Sequence, residues 1–162
     1  MRNNPILLVN VENLPPEGLE RQGYVSAEEL EFPADERFSL AREVHVDLFI
    51  SCVKKGILCQ GRINAQLSCT CDRCLTSYHS AVALSDICHL FEDFAEDILD
   101  LTYAVREDIL LAVPQHNLCS TSCRGLCPMC GQNLNEHDCG CSRSSGETPD
   151  VWRALDQLDF SE

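Results

Sequence analysis

Six of the chain's twelve cysteines fall within twenty-four residues, Leu118 to Cys141, spaced Cys119-x3-Cys123-x3-Cys127-x2-Cys130-x8-Cys139-x-Cys141. A thiolate is a soft, strong ligand, and tetrahedral zinc takes four donors at about 2.3 Å. Cys127-Pro128-Met129-Cys130-Gly131 has the form of a zinc knuckle. Two residues between the sulfurs let one tight turn present both to an ion, and Gly131 supplies the positive φ that folds the backbone beneath it. Disulfides suit an oxidising compartment, and nothing in the sequence points to export. A thioredoxin-like pair would stand alone at the mouth of a βαβ unit. The zinc deaminase signature needs His-x-Glu upstream and Pro before its first Cys. Here no His-x-Glu occurs, and Leu126 precedes Cys127.

A second C-x2-C unit, Cys71-Asp72-Arg73-Cys74, lies forty-five residues before Cys119. Alone it is weak; beside the cluster it brings the count to eight cysteines in four pairs. One partition joins Cys71 and Cys74 with Cys119 and Cys123, and Cys127 and Cys130 with Cys139 and Cys141. That makes two four-thiolate zinc sites. The alternative is a single ion within 119–141, with Cys71 and Cys74 as buried thiols. His137 could replace one sulfur, although an exposed loop histidine is the plainer reading. Cys52, Cys59, Cys69 and Cys88 fall on expected strands, where cysteine behaves as a small buried hydrophobe.

The rest of the chain reads as α+β: an antiparallel sheet with a few helices and a zinc-stapled C-terminal segment. The expected division is a sheet domain over 1–115 and a cysteine-rich segment with a terminal helix over 116–162. Residues 5–14 read as a first strand, halted by Pro15-Pro16. Residues 15–43 are irregular, with a short helix over Ser26–Leu30 that Ser26 and Glu29 would cap as a box. From Val44, VHVDLFISCV alternates apolar and polar residues. Lys54-Lys55-Gly56 turns it into a partner strand over 57–69, and a third strand follows over 77–91. Residues 101–115 place Leu101, Val105, Ile109 and Ala112 on one helical stripe that Pro114 stops. Glu107 and Asp108 diverge on that helix and read as its wet side. Thr148, Pro149 and Asp150 open a terminal amphipathic helix carrying Val151, Trp152, Leu155 and Leu158.

Twenty-six acidic residues against twelve basic give a formal charge of −14. Phosphate recognition rests on Lys and Arg, yet the lysines number two, Lys54 and Lys55, and the arginines are scattered. Such a field steers basic partners in and repels polyanions. Glu92, Asp93, Glu96, Asp97 and Asp100 form an acidic stretch, either a solvated loop or a face for a cationic partner. No apolar run approaches the ~20 residues of a membrane helix, and the N-terminus lacks a cleavage site, so the expected compartment is the cytoplasm. No phosphate-cradling loop, dinucleotide fingerprint or nucleophile–base motif marks an enzyme or a small-molecule substrate.

In order along the chain, Cys71-Asp-Arg-Cys74-Leu75, Ile109-Leu-Leu-Ala-Val-Pro114, Cys119-x3-Cys123-Arg-Gly-Leu-Cys127-Pro-x-Cys130-Gly-x-Asn-Leu-Asn135, Cys139-x-Cys141 and Pro149-Asp-x-Trp152-Arg-Ala-Leu155-x-x-Leu158 resemble the YceD family of large ribosomal RNA subunit accumulation proteins. The resemblance implies a non-enzymatic factor in large-subunit biogenesis that supports 23S rRNA accumulation. The family's gene often neighbours that of a small, basic zinc-ribbon protein of the large subunit. The charge reading points the same way, to capture of a basic large-subunit ribosomal protein with rRNA touched indirectly or weakly. The rival is direct rRNA contact through Arg73, Arg124 and the knuckle backbone. Members in some lineages lack the C-terminal cysteines, which implies that zinc is structural.

Overall fold

The computed structural model describes residues 4–33 and 35–141. The chain divides into two compact units, Met1–Cys123 and Arg124–Glu162. The first is built on strands: β1 (Leu8–Asn10), β2 (Leu19–Val25), β3 (Phe38–Leu40), β4 (Val44–Val53), β5 (Gly56–Thr70), β6 (Ser77–Glu92) and β7 (Ile98–Asp100). One helix, α1 (Thr102–Leu111), follows. Among the described residues it is the only helix, so the fold is mostly β rather than the α+β arrangement with several helices read from the sequence. The expected terminal helix from Thr148 lies outside the described residues.

β4 and β5 form the expected hairpin, in register from His45 opposite Asn64 to Val53 opposite Gly56. Gly56 closes it at φ 148°, where a Cβ would stand 2.0 Å from the Phe91 carbonyl oxygen. Alternation decides the faces: Val44, Val46, Leu48 and Ile50 are buried on β4, as are Ile57, Cys59, Ile63, Ala65, Leu67 and Cys69 on β5. β5 pairs with β6 along nearly its whole length. Since β4 and β3 take the other side of β5, β6 is an outer strand of the five-stranded sheet. Its register slips between Gly61 and Ile63, leaving Ser85 and Asp86 opposite Arg62 alone. Such a bulge bends a strand and sharpens its twist. Helix α1 lies against β5 and β6, burying Ala104, Val105 and Ile109.

Three expectations need correction. The first strand is only Leu8–Asn10, paired with β7 in a separate two-stranded sheet. Residues 15–43 contain β2 and β3, which the irregular reading missed. Ser26–Leu30 is one turn, not a helix. Its capping box is nonetheless made: the Ser26 N–H donates to Glu29 Oε2 at 2.8 Å and the Glu29 N–H to Ser26 Oγ at 3.3 Å. The Ser26 N–H and the Ser26 hydroxyl, which donates to Glu29 Oε2 at 2.9 Å, hold the Glu29 carboxyl below its usual range, with help from Asn4 and against burial. Glu31 at φ 49° then ends the turn, and Leu30 and Phe32 drop into the core.

Candidate metal centres

The turn between β5 and β6 carries the first pair of thiols. Cys71 N–H donates to the Thr76 carbonyl at 3.0 Å and Leu75 N–H to the Cys71 carbonyl at 2.9 Å. Leu75 takes φ 59° to make this possible. The knuckle in the second unit repeats the pattern. Cys127 N–H donates to the Gln132 carbonyl at 2.8 Å and Gly131 N–H to the Cys127 carbonyl at 2.9 Å, with Gly131 at φ 74°. The positive φ expected of Gly131 is present, and its counterpart in the first turn is a leucine.

The segment after α1 returns to the first turn. Asp72 N–H donates to the Asn117 carbonyl at 2.7 Å, and Asn117 N–H donates to Asp72 Oδ2 at 2.8 Å. Arg73 Nη1 donates to the Cys123 carbonyl at 3.2 Å. This clamp sets Cys74 Sγ 3.6 Å from Cys119 Sγ and Cys71 Sγ 3.8 Å from Cys123 Sγ. All four sulfurs lie within 4.8 Å of one another, as do those of Cys127, Cys130, Cys139 and Cys141. A tetrahedron of sulfurs about 2.3 Å from zinc has edges of about 3.8 Å. A disulfide would bring two sulfurs to about 2.05 Å, and none of the twelve cysteines is in one. The donors fit a closed four-thiolate ion in both places. The structure groups the sulfurs as the two-ion partition does.

The thiols' proton affinities fit the same use. Burial pushes Cys71 up, but main-chain donors at Cys119, Cys74 and Arg73 outweigh it and bring the thiol down to about 6. In the second site the backbone at Cys130 and Met129 brings Cys127 down to about 6. The Cys74 side chain drives Cys119 up to about 12, and the Cys130 side chain does the same to Cys141. Four like charges cannot share so small a volume unaided; a divalent cation lets every sulfur ionise.

The remaining residues singled out in the sequence fall elsewhere. His137 is exposed and stands outside both thiol groups. Of the strand cysteines, Cys59 and Cys69 are buried, whereas Cys52 and Cys88 are exposed, correcting that expectation. Asp108 is half-buried and bonded to His89 Nε2 at 2.8 Å, a contact no local motif signalled. Glu92, Asp93, Glu96, Asp97 and Asp100 are all exposed, and Asp100 Oδ1 accepts the Thr102 N–H at 2.8 Å. Both arginines nominated for RNA are engaged within their own units, Arg73 as above and Arg124 with the Asp138 carboxylate. Among the described residues, no helix is long and apolar enough to cross a membrane.

No solved structure matches this chain. An uncharacterized protein of Mycobacterium leprae (strain TN) is 29% identical over 107 residues, covering 56% of this chain. The chain spans about half (49%) of that relative's length. The family model described as "Large ribosomal RNA subunit accumulation protein YceD" matches residues 89–159. That span includes α1 and the six clustered cysteines and begins after Cys71 and Cys74. The description names a ribosomal RNA role and no catalytic activity. The resemblance read from the cysteine and Ile109–Pro114 motifs is thereby borne out: through residues 89–159, the chain matches the YceD family.

Proposed function

We propose that the protein is a non-enzymatic accessory factor in large-subunit biogenesis, supporting rRNA accumulation by holding a basic large-subunit ribosomal protein. The small zinc-ribbon protein is the leading candidate, and rRNA is protected indirectly. The observation that carries the biogenesis role is the family match at residues 89–159. The choice of a protein partner is supported by the formal charge of −14 and by the five exposed acids around β7. Two structural zinc ions would be held by Cys71, Cys74, Cys119 and Cys123, and by Cys127, Cys130, Cys139 and Cys141. Four protein sulfurs close each ion's shell and leave no site for a reactive water, which favours scaffold over catalyst. The cytoplasm, with its reduced thiols, is the compartment this chemistry suits.

Titrating the zinc-loaded protein against basic large-subunit proteins and against naked rRNA, over a range of salt, tests the reading. Binding to the basic proteins that weakens with salt is expected. Tight rRNA binding with a steep salt slope would sink it.

A further inference from the structure

β6 is sixteen residues long, and among the described residues only β5 pairs with it. No described main-chain hydrogen bond reaches its outer edge. Exposed edges of this length are usually blunted by Lys, Pro or a short run. β6 has neither Lys nor Pro, and its one interruption is the bulge at Ser85 and Asp86. Beyond the bulge, Ile87–Glu92 is regular strand. Beside it, a groove of about 520 Å³ opens between β6 and the C-terminal end of α1. Its apolar lining includes Leu84, Ile87, Leu111 and Ala112, and its acids are Asp86 and Asp108. Leu111 is 79% exposed and Leu90 43% exposed, a large apolar allowance for one edge of a small protein.

The charge around this edge has one sign. From Leu75 to Val105 the chain carries six acidic side chains and no Lys or Arg. We propose that the outer edge of β6 at Ile87–Glu92, with the groove against α1, binds an extended cationic segment of a partner protein as an added strand. The main-chain ladder supplies affinity for any sequence that can extend. Alternation then sends one set of the incoming side chains toward Leu111 and the other toward solvent. Lysines or arginines on that segment meet Asp86, Glu92 and Asp93. This rests on the reading that the partner is a basic protein, and it names where and in what conformation that partner is held.

The probe is a heptapeptide alternating Lys and Val, offered to the full zinc-loaded chain beside the same peptide N-methylated at alternate residues. N-methylation keeps the charge and removes the ladder donors. Fluorescence anisotropy reads affinity, and amide hydrogen exchange reads position. The proposal expects slowed exchange at Ile87–Glu92, at least tenfold weaker binding of the methylated peptide, and several-fold weaker binding to Leu111→Ser and to Asp86→Lys. Both substitutions replace surface side chains. Equal binding of the two peptides, or protection elsewhere than β6, would overturn it. Edge amides already protected without peptide would overturn it too, by self-association if the protection fades on dilution and by the chain's own cover if it does not. If whole basic ribosomal proteins bind the wild type and both variants alike, the groove fails while the proposed function stands. If they bind none of the three, that function fails first.

Discussion

The two thiol groups use one knuckle geometry for different mechanical ends. Cys71, Cys74, Cys119 and Cys123 join the turn after β5 to the segment after α1. The closest pair across that join, Cys74 and Cys119, is forty-five residues apart, and three of the four side chains are buried. Cys127, Cys130, Cys139 and Cys141 lie within fifteen residues of chain, and only Cys127 is buried. In the chain-entropy picture of a cross-link, closing a loop of forty-five residues is worth about 4 kcal/mol, against about 2.5 kcal/mol for the Cys130–Cys139 interval. The first site ties the turn between β5 and β6 to the segment that follows α1. The second gives shape to a segment whose apolar content is too low to hold itself.

The largest effects should therefore come from the first site. Cys71→Ser or Cys123→Ser is expected to lower the thermal midpoint of the sheet unit by on the order of 10 °C, the equivalent of about 4 kcal/mol at this size. Cys130→Ser or Cys141→Ser should leave that midpoint nearly unchanged while exposing residues 124–141 to rapid amide exchange. If the two pairs of variants melt alike, the distinction between long-range staple and local knuckle is wrong. Metal removal sharpens the same contrast. A chromogenic chelator should draw one equivalent of zinc quickly from the exposed site and a second slowly, at a rate set by opening of the sheet unit. Native mass spectrometry should follow the loss from two ions to one to none. A single phase, or a starting content of one ion, would contradict it.

A smaller effect is expected from the clamp that holds the first site in register. Asp72→Ala removes the carboxylate that accepts the Asn117 N–H, and Asn117 is buried. An orphaned buried donor costs about 1–3 kcal/mol, with a matching fall in the metal affinity of the first site alone. Equal falls at both sites would show that the clamp is not what positions Cys119 and Cys123.

The legible parts of this chain were those where one physical signal dominates. The alternation from Val44 onward yielded β4, β5 and β6 almost to the residue, because each buries one face. The thiol spacing singled out the eight cysteines that the fold gathers, because sulfurs paired across one to three intervening residues, four pairs in one chain, have few other uses. β2 was hidden for a concrete reason. Its inward positions are Leu19, Arg21, Gly23 and Val25: a charged residue and a glycine occupy half of them. A Cβ at Gly23 would stand 2.5 Å from Ile6 Cδ1, the tip of a side chain that packs into the space the glycine leaves. That contact is long-range and invisible to periodicity. The Ser26–Glu29 box was read correctly as chemistry and wrongly as length, since a cap starts a helix without deciding whether it continues. The His89–Asp108 bond and the bare edge of β6 belong to tertiary topology and had no local signature.

The finest distinction between the two sites is the residue that follows each C-x2-C pair. Gly131 reaches φ 74° without strain, whereas Leu75 holds φ 59° with a side chain 64% exposed. A left-handed conformation costs an ordinary residue about 1–2 kcal/mol. Reversing the two residues' roles should produce opposite signs. Gly131→Ala meets no atom within 4 Å, so its penalty is purely conformational, about 1 kcal/mol, seen as faster zinc loss from the second site. Leu75→Gly relieves strain in the folded turn but loosens the unfolded chain by roughly 0.5–1 kcal/mol. The net is a gain of up to about 1 kcal/mol, seen as slower zinc loss from the first site. A destabilised Leu75→Gly would mean that the leucine side chain contributes packing that its exposure conceals, and the two knuckles would then differ in more than burial and span.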